Sequence, residues 1–145
     1  MPSRVINGPS GSIGGALCYA LAAKIARPAA NVVVLMGDGT AGFHFSEFET
    51  AHRYGADFMA IIGNDARWNA EYQIQLRDYG EARLNECELN PTQYDRAVIG
   101  LGGHGETITD PADLDAAIAR AAKSGLPSCL NVMIEGLSAP AAPAH

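Results

Sequence analysis

The sequence has little positive charge, few cysteines and no long apolar run. Sixteen acidic residues outnumber ten lysines and arginines, which gives a net charge of −6 and an isoelectric point near 5.0. Because no basic stripe is present, we expect no nucleic acid or anionic membrane among the partners. No apolar segment approaches the length of a membrane span, and the first residues lack the apolar core of a signal peptide, so neither is expected.

The three cysteines, Cys18, Cys87 and Cys129, are scattered and odd in number. This pattern predicts reduced thiols in a cytoplasmic protein, not a disulfide framework or a zinc site. What the sequence does contain is 48% hydrophobic residues over 145 positions, enough for one core and one domain. We assign residues 1–137 to this domain and expect the Ala/Pro-rich residues 138–145 to be disordered.

Short apolar runs alternate with helix-like segments along the chain. This alternation predicts the α/β class, with a parallel sheet flanked by helices. A capping-box pattern starts at Ser46, and Asp110 followed by Pro111 marks the start of the last helix. Residues 67–90 have no clean period and predict a short helix followed by a long irregular loop. The predicted strands are 32–36, 58–62, 104–108 and 130–134, and the predicted helices are 13–26, 46–54, 93–101 and 110–124.

Three or four strands are few for a doubly wound domain of ordinary size. Either another chain completes the sheet, or the sequence is a portion of a longer protein. The sequence pattern leaves both alternatives open.

Two of the predicted strands end at a carboxylate. The first is followed by Gly37-Asp38-Gly39-Thr40 and the second by Gly63-Asn64-Asp65. A β-α-β unit with parallel strands would bring both acids to the carboxyl edge of the sheet, where ligands of such sheets bind. Asp38 and Asp65 would repel each other there unless a cation lay between them, and oxygen ligands suit Mg²⁺. Taken alone, each motif also fits an ordinary strand-ending turn.

The spacing of the two motifs favours the metal site. Residues 40–63, which are 24 positions, separate Gly39 from Asn64. A Gly-Asp-Gly followed at this distance by Asn-Asn or Asn-Asp resembles the diphosphate and magnesium motif of thiamine-diphosphate enzymes. Two further segments are similar to the acetolactate synthase, pyruvate decarboxylase and benzaldehyde lyase group. They are Gly11-Ser12-Ile13-Gly14, which precedes an Ala-rich helix, and the ending 125–132. The resemblance covers about residues 8–135.

This resemblance implies a thiamine-diphosphate-binding fold, a partial diphosphate-binding domain, with Mg²⁺ as second cofactor. Asp38, Asp65 and the main-chain carbonyl of Arg67 would bind the metal. Ile13 would lie under the cofactor and hold its two rings in a bent form. Most members have Asn where Asp65 stands; the stretch 63–68 is similar to the acetolactate-synthase-like and 2-hydroxyacyl-CoA-lyase-like branches. The implied cofactor-binding residues are Gly11, Ser12, Ile13, Gly37, Asp38, Gly39, Thr40, Asp65, Arg67 and Trp68.

The resemblance also implies a partner. In these enzymes a glutamate that protonates the pyrimidine ring comes from a different domain. We therefore expect a lyase or carboligase component that is active only with a large subunit, or the remainder of the enzyme, in a hetero-oligomer such as a dimer of dimers. A non-catalytic structural or regulatory relative is the alternative, and a nucleotide-binding α/β module ranks last because Gly-x-Gly-x-x-Gly does not follow a strand.

Other polar and aromatic residues are weaker candidates. Glu71 lies where pyruvate-type decarboxylases carry an active-site glutamate, but we expect a solvated helix-face residue. Trp68 and Tyr72 fit aromatic packing at least as well as a substrate channel. The histidines at 44, 52 and 104 have no carboxylate partner visible in sequence and are expected to be surface or loop residues.

Overall fold

The computed structural model describes residues 4–5 and 11–138 of the chain. The expected disordered segment, apart from Ser138, and most of the first loop lie outside the described residues. Within them, four parallel strands form one sheet in the order β1-β2-β4-β3. The strands are β1 (Val33–Gly37), β2 (Met59–Asn64), β3 (His104–Ile108) and β4 (Ser128–Met133). The α/β class, the parallel sheet and the four strands are as predicted.

Helices cover both faces of this sheet. The helices are α1 (Ala16–Ala26), α2 (Asp38–Ala41), α3 (Glu47–Tyr54), α4 (Asn69–Tyr79), α5 (Tyr94–Gly100) and α6 (Leu114–Ser124). Buried side chains of α1, α3 and α5 pack on one face, around Phe48, Phe58 and Ile62. Ala117 and Ala121 of α6 pack on the other face against Met59 and Leu130. Because successive strand residues point to opposite faces, β2 contributes to both cores. No helix of the described part of the chain is long and apolar enough to cross a membrane.

Three predictions about local structure are wrong. The segment after β1 is not a loop, because Asp38–Ala41 forms the short helix α2 directly at the end of the strand. Ser46 adopts helical angles (φ −59°, ψ −17°) and its side chain caps no N–H group, so the capping box does not form. The first predicted helix was expected to be largely buried, yet it begins only at Ala16 and exposes Tyr19 and Ile25 by more than half.

The stretch 67–90 contains the predicted helix but is less irregular than expected. It contains the 11-residue helix α4 and a 3-10 helix (Glu81–Arg83), so the irregular part is shorter than expected. None of the α4 residues is buried. An isolated bridge pairs Arg67 with Glu88, so the two ends of the segment 67–90 lie close together. Both ends lie beside the carboxyl end of β2.

The start of the last helix agrees with the prediction in its chemistry. Asp110 accepts a hydrogen bond from the N–H of Ala112, and Pro111 occupies the first helical position. The first turn is a 3-10 helix (Pro111–Asp113) that leads into α6. The side-chain cap satisfies one of the N–H groups that a helix start leaves unpaired.

Candidate functional site

A cleft of about 240 Å³ lies at the carboxyl edge of the sheet. All four strands are parallel, so the segments that follow β1 and β2 meet at this edge. The cleft brings together most of the residues that the sequence singled out and adds four that it did not. Gly11 and Ser12 lie in the turn before α1 and are not among the lining residues. The lining residues are Ile13, Gly37, Asp38, Gly39, Thr40, Gly63, Asp65, Arg67, Trp68, Asn69, Ala70, Glu71 and Ile134.

Asp38 is the buried acid of this cleft, with 2% of its surface exposed. Burial raises the pKa of its carboxyl, the negative charge of Asp65 raises it further, and the main-chain N–H groups of Gly39 and Arg67 act in the opposite direction. The Arg67 N–H also donates to Asp65 Oδ1 at 3.2 Å. Two carboxylates therefore converge on one N–H group, and a cation bound there would offset their mutual repulsion.

The donor atoms at this point suit a hard cation. Asp38 and Asp65 offer carboxylate oxygens, the ligands that Mg²⁺ prefers. Among residues 4–5 and 11–138, no cluster of three or more His, Cys, Asp or Glu side chains could hold a metal. A cation between these two acids must therefore take its other ligands from main-chain oxygens, water or a bound anion. The residues fit a Mg²⁺ ion that is held jointly with a diphosphate.

The two glycines around Asp38 have different surroundings. At Gly37, a side chain would point into open space, so the backbone there is accessible from the cleft. At Gly39, a Cβ atom would lie 2.8 Å from the indole ring of Trp68, which covers this position. Trp68 in turn packs edge-on against Phe43, with ring centroids 5.9 Å apart. Gly37 therefore leaves room for a ligand, whereas Gly39 is required for the packing of Trp68.

The turn that carries Asp65 is held by buried amides that the sequence analysis did not single out. Asn64 Oδ1 accepts a hydrogen bond of 3.1 Å from the N–H of Ala66, whose φ of 55° is unusual for a residue with a side chain. Asn64 Nδ2 donates to Asn131 Oδ1 and to the Thr92 carbonyl. The sequence signal for this network is the polar Asn131 within the apolar run 130–134, because a buried amide needs a hydrogen-bond partner.

Tyr94 makes a comparable contact on the Asp38 side. Its hydroxyl donates to the main-chain carbonyl of Asp38 at 2.9 Å and is buried. This bond ties the start of α5 to the first residue of α2. The helix after Asn90-Pro91 therefore helps to fix the backbone of the carboxylate turn.

The remaining candidates occupy different positions. Glu71 is exposed on the first turn of α4 and also lines the cleft. The Arg67 guanidinium lies 4.4 Å from the ring centroid of Tyr72, which accordingly packs against the turn 65–67. His104 does have a carboxylate partner, contrary to the expectation, because its Nε2 lies 2.8 Å from Glu106 Oε1 at the opposite edge of the sheet. His44 bonds to the carbonyl of Gly14.

The fold and this edge of the sheet define a class of protein. Residues 1–132 match the family described as thiamine pyrophosphate enzyme, C-terminal TPP binding domain, and the chain belongs to this family. A solved thiamine diphosphate-dependent 4-hydroxybenzoylformate decarboxylase from Rhodococcus jostii RHA1 superposes with a TM-score of 0.80. At 24% identity, over 87% of this chain and 24% of that one, the likeness shows the fold alone.

Within this family the chain is similar to two kinds of enzyme. It is 43% identical to a probable acetolactate synthase of Mycobacterium bovis over 130 residues. The aligned region covers 89% of this chain and 23% of the relative. It is 39% identical over 98 residues to human 2-hydroxyacyl-CoA lyase 2, over 68% of this chain and 15% of the relative. The chain therefore spans less than a quarter of the length of these relatives.

Proposed function

We propose that the chain is the cofactor-binding domain or small subunit of a thiamine-diphosphate- and Mg²⁺-dependent C–C lyase or carboligase. The observation that carries the proposal is the convergence of Asp38 and Asp65 in one cleft beside the accessible backbone of Gly37. Two acids at the carboxyl edge of a parallel sheet, in a family defined by thiamine pyrophosphate binding, support a metal-diphosphate site.

Each residue of the cleft has a role in this proposal. Asp38, Asp65 and the Arg67 carbonyl would hold Mg²⁺, and the N–H and hydroxyl of Thr40 would bind the diphosphate. Ile13 lines the same cleft and would contact the rings of the cofactor. Bound thiamine diphosphate supplies a carbanion-forming centre that accepts electrons while a C–C bond breaks. The chain itself binds, orients and shields this group.

The reaction class follows the relatives. Their names specify acetolactate synthase and 2-hydroxyacyl-CoA lyase activities, so the substrate of this chain would be a 2-oxo acid or a 2-hydroxyacyl-CoA. A partner that carries a pyrimidine-domain glutamate completes the site, in a hetero-oligomer such as a dimer of dimers. The free cysteines at 18, 87 and 129 support a cytoplasmic location.

Titration calorimetry of the full chain with thiamine diphosphate tests the proposal. Binding is expected with Mg²⁺ and not with EDTA, either for the chain alone or after addition of the protein encoded by the neighbouring gene. Asp38→Ala should abolish binding, whereas His104→Ala, which alters the opposite edge of the sheet, should retain it. No metal-dependent binding in either mixture overturns the proposal, and equal behaviour of the two variants overturns the site.

Turnover separates the enzyme component from a non-catalytic relative. The mixture that binds the cofactor should cleave a 2-oxo acid or a 2-hydroxyacyl-CoA. Chromatography of the products measures the cleavage. Cofactor binding with no cleavage of either substrate class would instead identify a structural or regulatory subunit.

A further inference from the structure

Ile13 reaches the cleft from an unusual turn. Gly11 and Gly14 both have positive φ angles, 63° and 91°, so two left-handed residues flank Ile13. Glycine adopts such angles without a steric penalty, but it also keeps the turn free to change shape. Ile13 lies before α1 and is 44% exposed, so burial in the core does not fix its position. Some other contact must hold the turn.

His44 supplies that contact. Its Nδ1 lies 2.9 Å from the carbonyl oxygen of Gly14. A carbonyl only accepts hydrogen bonds, so Nδ1 carries the hydrogen and donates it. The adjacent Phe43 packs against the same glycine, where a Cβ atom would come within 2.6 Å of the Phe43 Cβ. The turn before α1 is therefore held against the segment that follows α2.

The holding segment is itself anchored. The N–H of Phe43 donates to the Thr40 carbonyl at 3.3 Å, and the His44 carbonyl accepts from the N–H of Glu47 at 3.0 Å. Phe43 also contacts Trp68, which covers Gly39 beside Asp38. A continuous set of contacts therefore links the Ile13 turn to Trp68 and the backbone of Gly39.

We propose that His44 is a positioning residue, which holds the Gly14 carbonyl so that Ile13 projects into the cleft and contacts the organic part of the cofactor. The inference rests on the proposed function, and it assigns His44 to ring recognition and not to binding of the diphosphate. His44 is exposed and belongs to neither buried cluster, so its removal should leave the fold intact. Its effect should appear only with ligands that reach Ile13.

Two ligands distinguish binding of the cofactor rings from binding of the diphosphate. Calorimetry of the full chain, with its partner where wild-type binding requires it, compares Mg²⁺ plus thiamine diphosphate with Mg²⁺ plus inorganic diphosphate. His44→Ala should weaken thiamine diphosphate roughly three- to tenfold, the effect of one hydrogen bond, and leave inorganic diphosphate unchanged. His44→Asn should restore most of the loss, because the Asn amide can place a donor near Nδ1. His52→Ala removes another exposed histidine, which lies in α3 with its ring against Gly102, and serves as the control.

The outcomes are distinguishable. An equal loss for both ligands in His44→Ala, no loss for thiamine diphosphate, or no rescue by His44→Asn overturns the positioning role. A wild-type chain that binds neither ligand in the presence of Mg²⁺ and partner overturns the cofactor function and, with it, this inference.

Discussion

The side-chain amides of Asn64 and Asn131 form a hydrogen bond of 3.0 Å between the neighbouring strands β2 and β4. Both side chains are buried, with 0% and 2% exposure. The Thr92 carbonyl accepts from both amides, so three segments of the chain meet at this point. Asn64 also bonds to the N–H of Ala66, and the network therefore fixes the turn that carries Asp65.

Removal of Asn131 should disturb this network. Asn131→Ala withdraws an acceptor from Asn64 and leaves a buried polar group partly unsatisfied, which costs about 1–3 kcal/mol. Chemical denaturation measures the change in the free energy of unfolding. Asn85→Ala, at an exposed position, should stay within about 0.5 kcal/mol of the wild type. A cost no larger than that of the control would contradict the role of the network.

The buried Asp38 carboxylate should lower the free energy of unfolding of the metal-free chain near neutral pH. Burial raises the pKa of its carboxyl above the ordinary 3.8, so the folded chain favours the protonated acid. The contribution to stability is then full below 3.8 and is lost as the pH rises through the raised pKa. Asp38→Asn should therefore raise the free energy of unfolding at pH 7 by about 1 kcal/mol, measured by thermal denaturation, while metal-dependent cofactor binding is lost.

A pH series tests the cause. The advantage of Asp38→Asn over the wild type should shrink as the pH falls toward 4, because the wild-type carboxyl becomes protonated. Glu81→Gln removes an exposed charge and serves as the control. An advantage that stays constant between pH 7 and pH 4 would show that burial of the charge is not the reason.

The sequence was sufficient to predict where Asp38 and Asp65 meet. The carboxyl ends of parallel strands share one edge of a sheet, and two apolar runs that each end in an acid encode that edge. The sequence predicted a short helix after Arg67 but not the 11-residue length of α4, because periodicity reports burial and no residue of α4 is buried. The pairing of His104 with Glu106 was accessible, since alternate residues of a strand lie on one face.

The capping box at Ser46 and the bond of His44 depend on tertiary contacts. Ser46 and Glu49 match a capping box, but the N–H of Glu49 bonds to the Ser46 carbonyl and the Ser46 side chain makes no cap. The bond between His44 and Gly14 joins residues 30 positions apart, and no local pattern encodes it. Contacts of this kind depend on the packing of α1 against α3, which a single sequence does not reveal.

Lys24 and Asp57 should respond unequally to mutation. Lys24 is buried, and its Nζ lies 2.9 Å from Asp57 Oδ1 and 2.8 Å from the Ala30 carbonyl, whereas the Asp57 side chain is 40% exposed. Asp57→Ala leaves a buried ammonium without its charge partner and should cost about 1–3 kcal/mol. Lys24→Met keeps the apolar stem and leaves Asp57 in contact with water, so it should cost less than about 1 kcal/mol. Denaturation of both variants measures the difference, and a larger cost for Lys24→Met would contradict the argument.

Gly105 and Gly100 form a matched pair of glycines. A side chain at Gly105, in β3, would collide with the main chain of Asp95, whose carbonyl carbon and Cα would lie 2.6 Å and 2.8 Å from the new Cβ. Gly105→Ala must therefore separate α5 from β3, and the cost should be about 3 kcal/mol or more. At Gly100, the last residue of α5, a Cβ would meet no atom within 4 Å. Gly100→Ala should stabilise the chain by about 0.4–1 kcal/mol, because alanine restricts the unfolded chain more than glycine does. Thermal denaturation of the two variants should thus give shifts of opposite sign, and shifts of the same sign would show that the α5–β3 contact is looser than the structure indicates.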